Sequence, residues 1–109
     1  MFMKENPNVR DLLGELDSLV HEPARLGILT LLHLNSSQPF SILQKGLGLS
    51  PGNLNSHLAR LIESEYITQE KTFVKTRPRT VIHITPEGRK ALKQYSKSLK
   101  RILSDISSF

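Results

Sequence analysis

Ser50, Gly52, Asn53, Asn55, Ser56, His57 and Arg60 fall within one short run, LSPGNLNSHLARL, residues 49–61. Ser56 beside His57 first suggests a nucleophile and its base. Consecutive helical residues diverge by about 100°, however, and the sequence places no acid to orient the imidazole. The same side chains suit recognition better. Asn, Ser and Arg match the donor and acceptor edges of base pairs, and the Arg fork fits guanine or phosphate. A second cluster supplies charge: KTFVKTRPR carries four cations in nine residues, Lys71, Lys75, Arg77 and Arg79. Cations so grouped suit a phosphate backbone. His21, His33 and His83 are scattered without ligand spacing and the chain has no cysteine, so neither a metal nor a cofactor is expected.

These groups need elements to hold them. Val9, Leu12, Leu13, Leu16, Leu19 and Val20 recur every three or four residues, which predicts a helix over 8–21 with Asn8 as its cap. Pro23 suits the first position of a second helix, running to about Leu34 and apolar around most of its circumference, hence buried. NSSQP reads as a turn, and Ser41 with Gln44 as the reciprocal cap of a short helix over 42–47, which Gly48 ends with a left-handed backbone. Ser50 then caps a helix whose first residue is Pro51. Leu54, Leu58, Leu61 and Ile62 form its inner side, and Gly52, Asn53, Ser56, Ala59, Arg60 and Glu63 its outer one. A merely solvated face would more often carry Lys and Glu; Asn, Ser and Gly are poor helix formers, so something other than stability selected them.

Residues 66–74 and 80–85 are rich in β-branched and aromatic side chains and predict a hairpin, with KTRPR at its tip. Thr85-Pro86-Glu87 opens a last helix, capped by Thr85. Along it Leu92, Leu99 and Ile106 are seven apart, as are Tyr95, Ile102 and Phe109, an a/d stripe predicted to pack on the first helix and on a second subunit. The dimer residues read from these stripes are Val9, Leu12, Leu16, Leu92, Tyr95, Leu99, Ile102 and Ile106.

With 109 residues, 38% of them apolar, the chain supports one core and therefore one domain, 1–109. Charge is divided unevenly. Residues 1–69 hold five Lys/Arg against seven Asp/Glu, and residues 70–109 hold ten against three. That asymmetry suits an anionic partner. No stretch is apolar enough to cross a membrane and no export signal opens the sequence, so a cytoplasmic protein is expected. Phosphate-cradling loops, nucleophile elbows and paired carboxylates are missing from the sequence, so an enzyme is not expected.

The order of elements is helix, helix, short helix, tight turn, free-faced helix, basic hairpin and long helix. That is the order of a winged helix-turn-helix: mainly α with a small β-hairpin, the helix-turn-helix at 41–64, the wing at 66–85, and dimerisation helices at 8–21 and 86–109. FSILQKGLGLSPGNLNSHLARLIESEYI, the hairpin, and ITPEGRKAL resemble winged-helix regulators of the MarR-like and ArsR-like groups over roughly residues 20–95. The resemblance implies a homodimeric regulator binding double-stranded DNA, with the helix at 51–64 in the major groove. Base reading would then fall on Asn53, Asn55, Ser56 and Arg60, supported by Ser50, Gly52 and His57. Lys75, Arg77 and Arg79 of the wing would meet the backbone or minor groove. The resemblance leaves room for an unidentified small-molecule effector. One departure stands out: this subgroup usually ends the recognition helix with Gly, where this chain has Glu65. A reshaped helix end is expected there, because a non-Gly residue in the left-handed region costs about 1 kcal/mol. The alternative function for such a fold is a protein-interaction module without sequence-specific DNA binding.

Overall fold

Local capping sets most of the helix starts. In the computed structural model, which describes residues 8–107 apart from the side chains of Asn8, Val9 and Leu12, the elements run α1 Asn8–Glu15, α2 Pro23–Asn35, β1 Ser37–Pro39, α3 Phe40–Leu47, α4 Pro51–Glu63, β2 Ile67–Val74, β3 Arg77–Ile84 and α5 Pro86–Ser107. The cap expected from Asn8 and the stripe position Phe109 lie outside the described residues. Pro23, Pro51 and Pro86 each open a helix, where the missing N–H costs nothing. Ser50 Oγ accepts from the Asn53 amide at 3.1 Å, and Thr85 Oγ1 accepts from the Gly88 amide at 2.9 Å. Glu22 caps α2 through Oε1, which accepts from the Arg25 amide at 2.8 Å.

Four local expectations are corrected. α1 stops at Glu15 instead of running to residue 21, because Asp17 Oδ1 captures the Leu19 amide at 2.9 Å and the Asp17 carbonyl accepts from the His21 amide at 2.7 Å. A short acidic side chain that bonds its own backbone competes with helix in this way. The NSSQP turn contains β1, which pairs with β3 from Ser37↔His83 to Pro39↔Val81, so the hairpin belongs to a three-stranded antiparallel sheet of order β1-β3-β2. Ser41 caps nothing: α3 starts at Phe40 behind an extended Pro39, and no side chain caps it. Last, β3 begins at Arg77, so the wing's tip is only Lys75-Thr76.

Ile28, Leu29 and Leu32 of α2, Leu43 of α3, and Leu54, Leu58 and Leu61 of α4 meet Ile67 of β2 and Ile82 of β3 in the core. Tyr95 of α5 and Val20 of the α1–α2 turn close it. Leu34, on the side of α2 away from this cluster, stays exposed. Gly88 is required by approach: a Cβ there would meet the Tyr66 carbonyl oxygen at 2.2 Å. Its bare backbone therefore seats α5 on the entrance to β2. Arg89, one residue on, donates to the His33 carbonyl and to Ser36 Oγ, each at 2.9 Å, and ties α5 to the end of α2. The chain is drawn out, at 68 × 25 × 21 Å with a radius of gyration of 17.0 Å. A globular domain of this length has about 13 Å.

Candidate nucleic-acid interface

α4 presents two chemically distinct sides. Leu54, Leu58 and Leu61 are buried, while Gly52, Asn53, Asn55, Ser56, Ala59, Arg60 and Glu63 are exposed. Gly52 has no protein atom within 4 Å of where a Cβ would stand. Nothing inside the molecule requires glycine there, although glycine in a helix costs about 1 kcal/mol relative to alanine. Ser50 is exposed too, with its Oγ engaged as the cap. Among the described residues Arg60 makes no ion pair with Glu63 or Glu65. The exposed N-terminal turn of α4 also carries the positive end of the helix dipole, which favours anions.

His57 departs from the expected arrangement. Its ring is half-buried and Nδ1 faces inward, 3.1 Å from Arg25 Nη1 and 3.8 Å from Glu22 Oε1. The sequence shows no acid beside this imidazole; the fold supplies one, from 35 positions earlier in the chain. A guanidinium has no acceptor, so Nδ1 accepts and the ring proton sits on Nε2. Arg25 is itself buried, and its Nε donates to the Leu19 carbonyl at 2.6 Å. Glu22, Arg25 and His57 thus link the entrance of α2 to the middle of α4 and fix how the outer face of α4 is presented. Sequence reasoning missed Arg25; the available signal was a lone cation in the otherwise apolar run PARLGILTLL.

The end of α4 keeps the usual shape despite Glu65. Glu65 adopts φ 66°, its amide reaches the Ile62 carbonyl at 2.9 Å, and the Tyr66 amide reaches the Leu61 carbonyl at 3.0 Å. This pair of bonds is the closure that glycine normally serves. Thr85 Oγ1 donates to the Glu65 carbonyl at 2.7 Å and holds the turn from outside. Beside it the Tyr66 hydroxyl donates to Asp17 Oδ2 at 2.5 Å. Burial, the donated hydrogen bond and the Asp17 charge together push its pKa up from 10.0 to about 12.

In the wing, Lys75, Arg77 and Arg79 are exposed, as is Lys71. Among the described residues none of the four is ion-paired with a carboxylate. Arg77 stands opposite Val74 and Arg79 opposite Thr72, so the two guanidiniums rise from one side of the sheet. Lys75 and Thr76 have φ of 53° and 69°, the two-residue turn that a twisted hairpin favours, built here without Gly or Asn.

The stripes of the terminal helices are divided in use. Tyr95 is buried in its own domain, with its hydroxyl 2.8 Å from His21 Nδ1, and is corrected from a subunit contact to a core residue. Leu16, Leu92 and Leu99 are half-buried against the same core, and Ile102 is half-buried. Leu13, Leu103 and Ile106 remain at least half exposed. The side chains of Val9 and Leu12 lie outside the described residues. Between α2 and α5 runs a groove of about 380 Å³, lined by Leu26, Leu92 and Leu99 with Thr30, His33 and Lys93 among its polar groups.

Among the described residues no group of three or more His, Cys, Asp or Glu is placed to hold a metal, and no helix is long and apolar enough to cross a membrane. A family model described as winged helix DNA-binding domain matches residues 24–103. An uncharacterized protein of Methanocaldococcus jannaschii is 35% identical over 82 residues, 75% of this chain and 89% of its own. The structure of a transcriptional regulator homologue from Pyrococcus horikoshii aligns with a TM-score of 0.82 at 33% identity, covering 91% of this chain and 96% of the other. Mycobacterium tuberculosis Rv0081 aligns with a TM-score of 0.70 at 25% identity, over 94% and 99% of the two chains. The resemblance read from the helix-turn-helix, hairpin and ITPEGRKAL segments therefore holds at the level of family and fold: this chain belongs to the winged helix DNA-binding domain family.

Proposed function

We propose that the chain is a cytoplasmic, homodimeric regulator of transcription that binds double-stranded DNA in a sequence-specific way. One observation carries this reading. The polar side of α4 is exposed from Gly52 to Glu63, beside a wing whose cations lack carboxylate partners among the described residues. In the complex α4 enters the major groove, Asn53, Asn55, Ser56 and Arg60 reach base edges, and the first turn of α4 meets phosphate. Ser50 and Gly52 allow that approach; His57 positions the helix through Arg25 and offers Nε2–H outward. Lys75, Arg77 and Arg79 bind the backbone along the adjoining groove. Leu13, Leu103 and Ile106, left open where α1 and α5 run together, supply the subunit contact, which Leu16, Leu92, Leu99 and Ile102 border. Two recognition helices so joined address half-sites about 34 Å apart. The groove between α2 and α5 is within the usual size for a small-molecule effector.

Selection from random duplexes at two salt concentrations is the test. An ordered two-fold-symmetric sequence is expected, with affinity falling steeply as salt rises. Arg60→Ala should cost about 1–3 kcal/mol on the selected site and relax preference at one position, whereas Arg77→Ala with Arg79→Ala should weaken all sequences alike and lower the salt slope by about 2. Loose binding with no preferred sequence and no response to either variant would refute the reading and favour a protein-interaction module.

A further inference from the structure

The wing holds an apolar feature that phosphate binding does not use. Phe73 is 70% exposed and Val74 45% exposed, in an element surrounded by cations. Alternation along β2 puts Phe73 on the same face as Ile67, Gln69 and Lys71. At the base of the sheet that face is core, with Ile67 and Ile82 buried. The hairpin then extends beyond the helices, and the same face ends on Phe73, opposite Pro78 across the ladder. An aromatic ring backed by proline is stiff, and it stands one residue from the two-residue turn, or about 7 Å from the tip. Lys71 precedes it on its own face and Lys75 stands at the tip, while Arg77 and Arg79 of the neighbouring strand rise from the opposite face.

A ring carried on a hairpin edged with cations is complementary to a groove with anionic walls and an apolar interior. Duplex DNA is such a groove: its minor groove is about 6 Å wide and 7.5 Å deep, lined by phosphates and floored by stacked bases. We infer that Phe73, supported by Pro78, is a wedge that enters between two base pairs in the minor groove and kinks the duplex. This rests on the DNA-binding reading above and adds to it a mode of specificity. Pyrimidine–purine steps unstack most easily, so the wing selects TA or CA/TG steps at a position where its side chains read no base edge.

The probe is a duplex of about 40 base pairs enriched by the wild-type chain from a random pool. Bending is measured by circular permutation in gels, unstacking by 2-aminopurine fluorescence at the wing-side step, and affinity over a salt series. The wild type is expected to bend the duplex and brighten the probe. Phe73→Ala is expected to bind roughly ten-fold more weakly with an unchanged salt slope, to lose both signals, and to lose the preference for TA or CA/TG. Phe73→Leu, which retains an apolar wedge, is expected to keep most of each. Phe73 is exposed, so neither variant threatens folding.

A straight duplex with the wild type, or undiminished bending with Phe73→Ala, overturns the wedge while leaving the DNA-binding reading intact. So does a Phe73→Ala salt slope that flattens, which would mean the ring only shapes the wing's backbone contacts. Self-association of the free chain that Phe73→Ala abolishes, with bending unchanged, would assign the ring to a second copy. Absence of any duplex binding by the wild type refutes both readings together.

Discussion

α4 and the wing carry the two halves of the candidate interface, and they are built on opposite principles. α4 is supported from behind along its length: three leucines fully in the core, a Ser50 cap at one end, a closed turn at the other, and the Arg25–His57 link in the middle. The wing has only its ladder. Beyond Ile67 every β2 side chain except half-buried Thr72 is exposed, and its turn holds two non-glycine residues at positive φ. The difference teaches how a small domain divides recognition. Side chains that discriminate among bases must be held to within fractions of an ångström, whereas charges that bind a continuous backbone need reach more than placement. Stability is expected to be correspondingly uneven, with α4 opening only when the whole domain does and the wing opening locally, which amide exchange would resolve.

Truncation of one side chain in each region is the strongest way to break that contrast. Leu58→Ala empties a fully buried site and should lower unfolding free energy by about 2–5 kcal/mol in urea titrations. Phe73→Ala removes a larger side chain from the wing and should stay within about 0.5 kcal/mol, because its ring is already in water. Equal losses would show the wing to be part of the core's cooperative unit.

Arg25 is the next support to remove. Arg25→Met keeps the length of the side chain but leaves the Leu19 carbonyl and His57 Nδ1 without their donor, and should cost about 2 kcal/mol. Its second readout is the freed His57 ring, whose proton should then exchange between both nitrogens in NMR tautomer measurements. A ring still protonated only on Nε2 would mean that something other than Arg25 fixes it.

Much of α4 could be read in the sequence because its signals are local. Ser50, Pro51 and the leucines at helical spacing define where the helix begins and which side is inside, and the Asn and Ser content marks the other side as exposed. What failed to show were features made by distant segments. β1 is three residues of SQP with no alternation of its own, and it becomes a strand only because β3 has a free edge for it. The acid near His57 is Glu22, the cap of α2, which precedes the helix-turn-helix altogether. Tyr95 sits at an a/d position that fits an intermolecular seam as well as an internal one, and its hydrogen bond to His21, 74 residues away, decided between them. At the wing, the turn lacks the Asn-Gly signature that normally marks it, so the tip looked five residues long instead of two.

Where α4 hands over to the wing, Tyr66 gives a pH-dependent test of the joint. The unfolded chain loses the tyrosine proton near 10.0, while the folded chain holds it to about 12. The resulting stabilisation is fully present below pH 10 and is lost as pH rises to about 12. Tyr66→Phe should lower stability by about 1.5 kcal/mol at neutral pH, through the lost bond to Asp17. The gap between wild type and variant should close across that alkaline window. A gap that stays constant to pH 12 would mean that the fold does not hold the Tyr66 proton above its ordinary range.

The smallest effects test the contrast most finely, because both regions hold a residue in the left-handed conformation that glycine would relieve. Glu65→Gly removes the Cβ clash at the end of α4 and should raise global stability by about 1 kcal/mol, since that turn is formed only when α4 is packed. Lys75→Asn with Thr76→Gly removes comparable strain at the wing's tip. If the wing opens independently, this second change should leave the urea midpoint where it was and slow amide exchange only within β2 and β3. The pair of substitutions therefore separates strain held by the core from strain held by the ladder alone. A midpoint that moves equally for both would show that the hairpin is as firmly coupled to the domain as α4 is, and that its cations are presented as rigidly as Arg60.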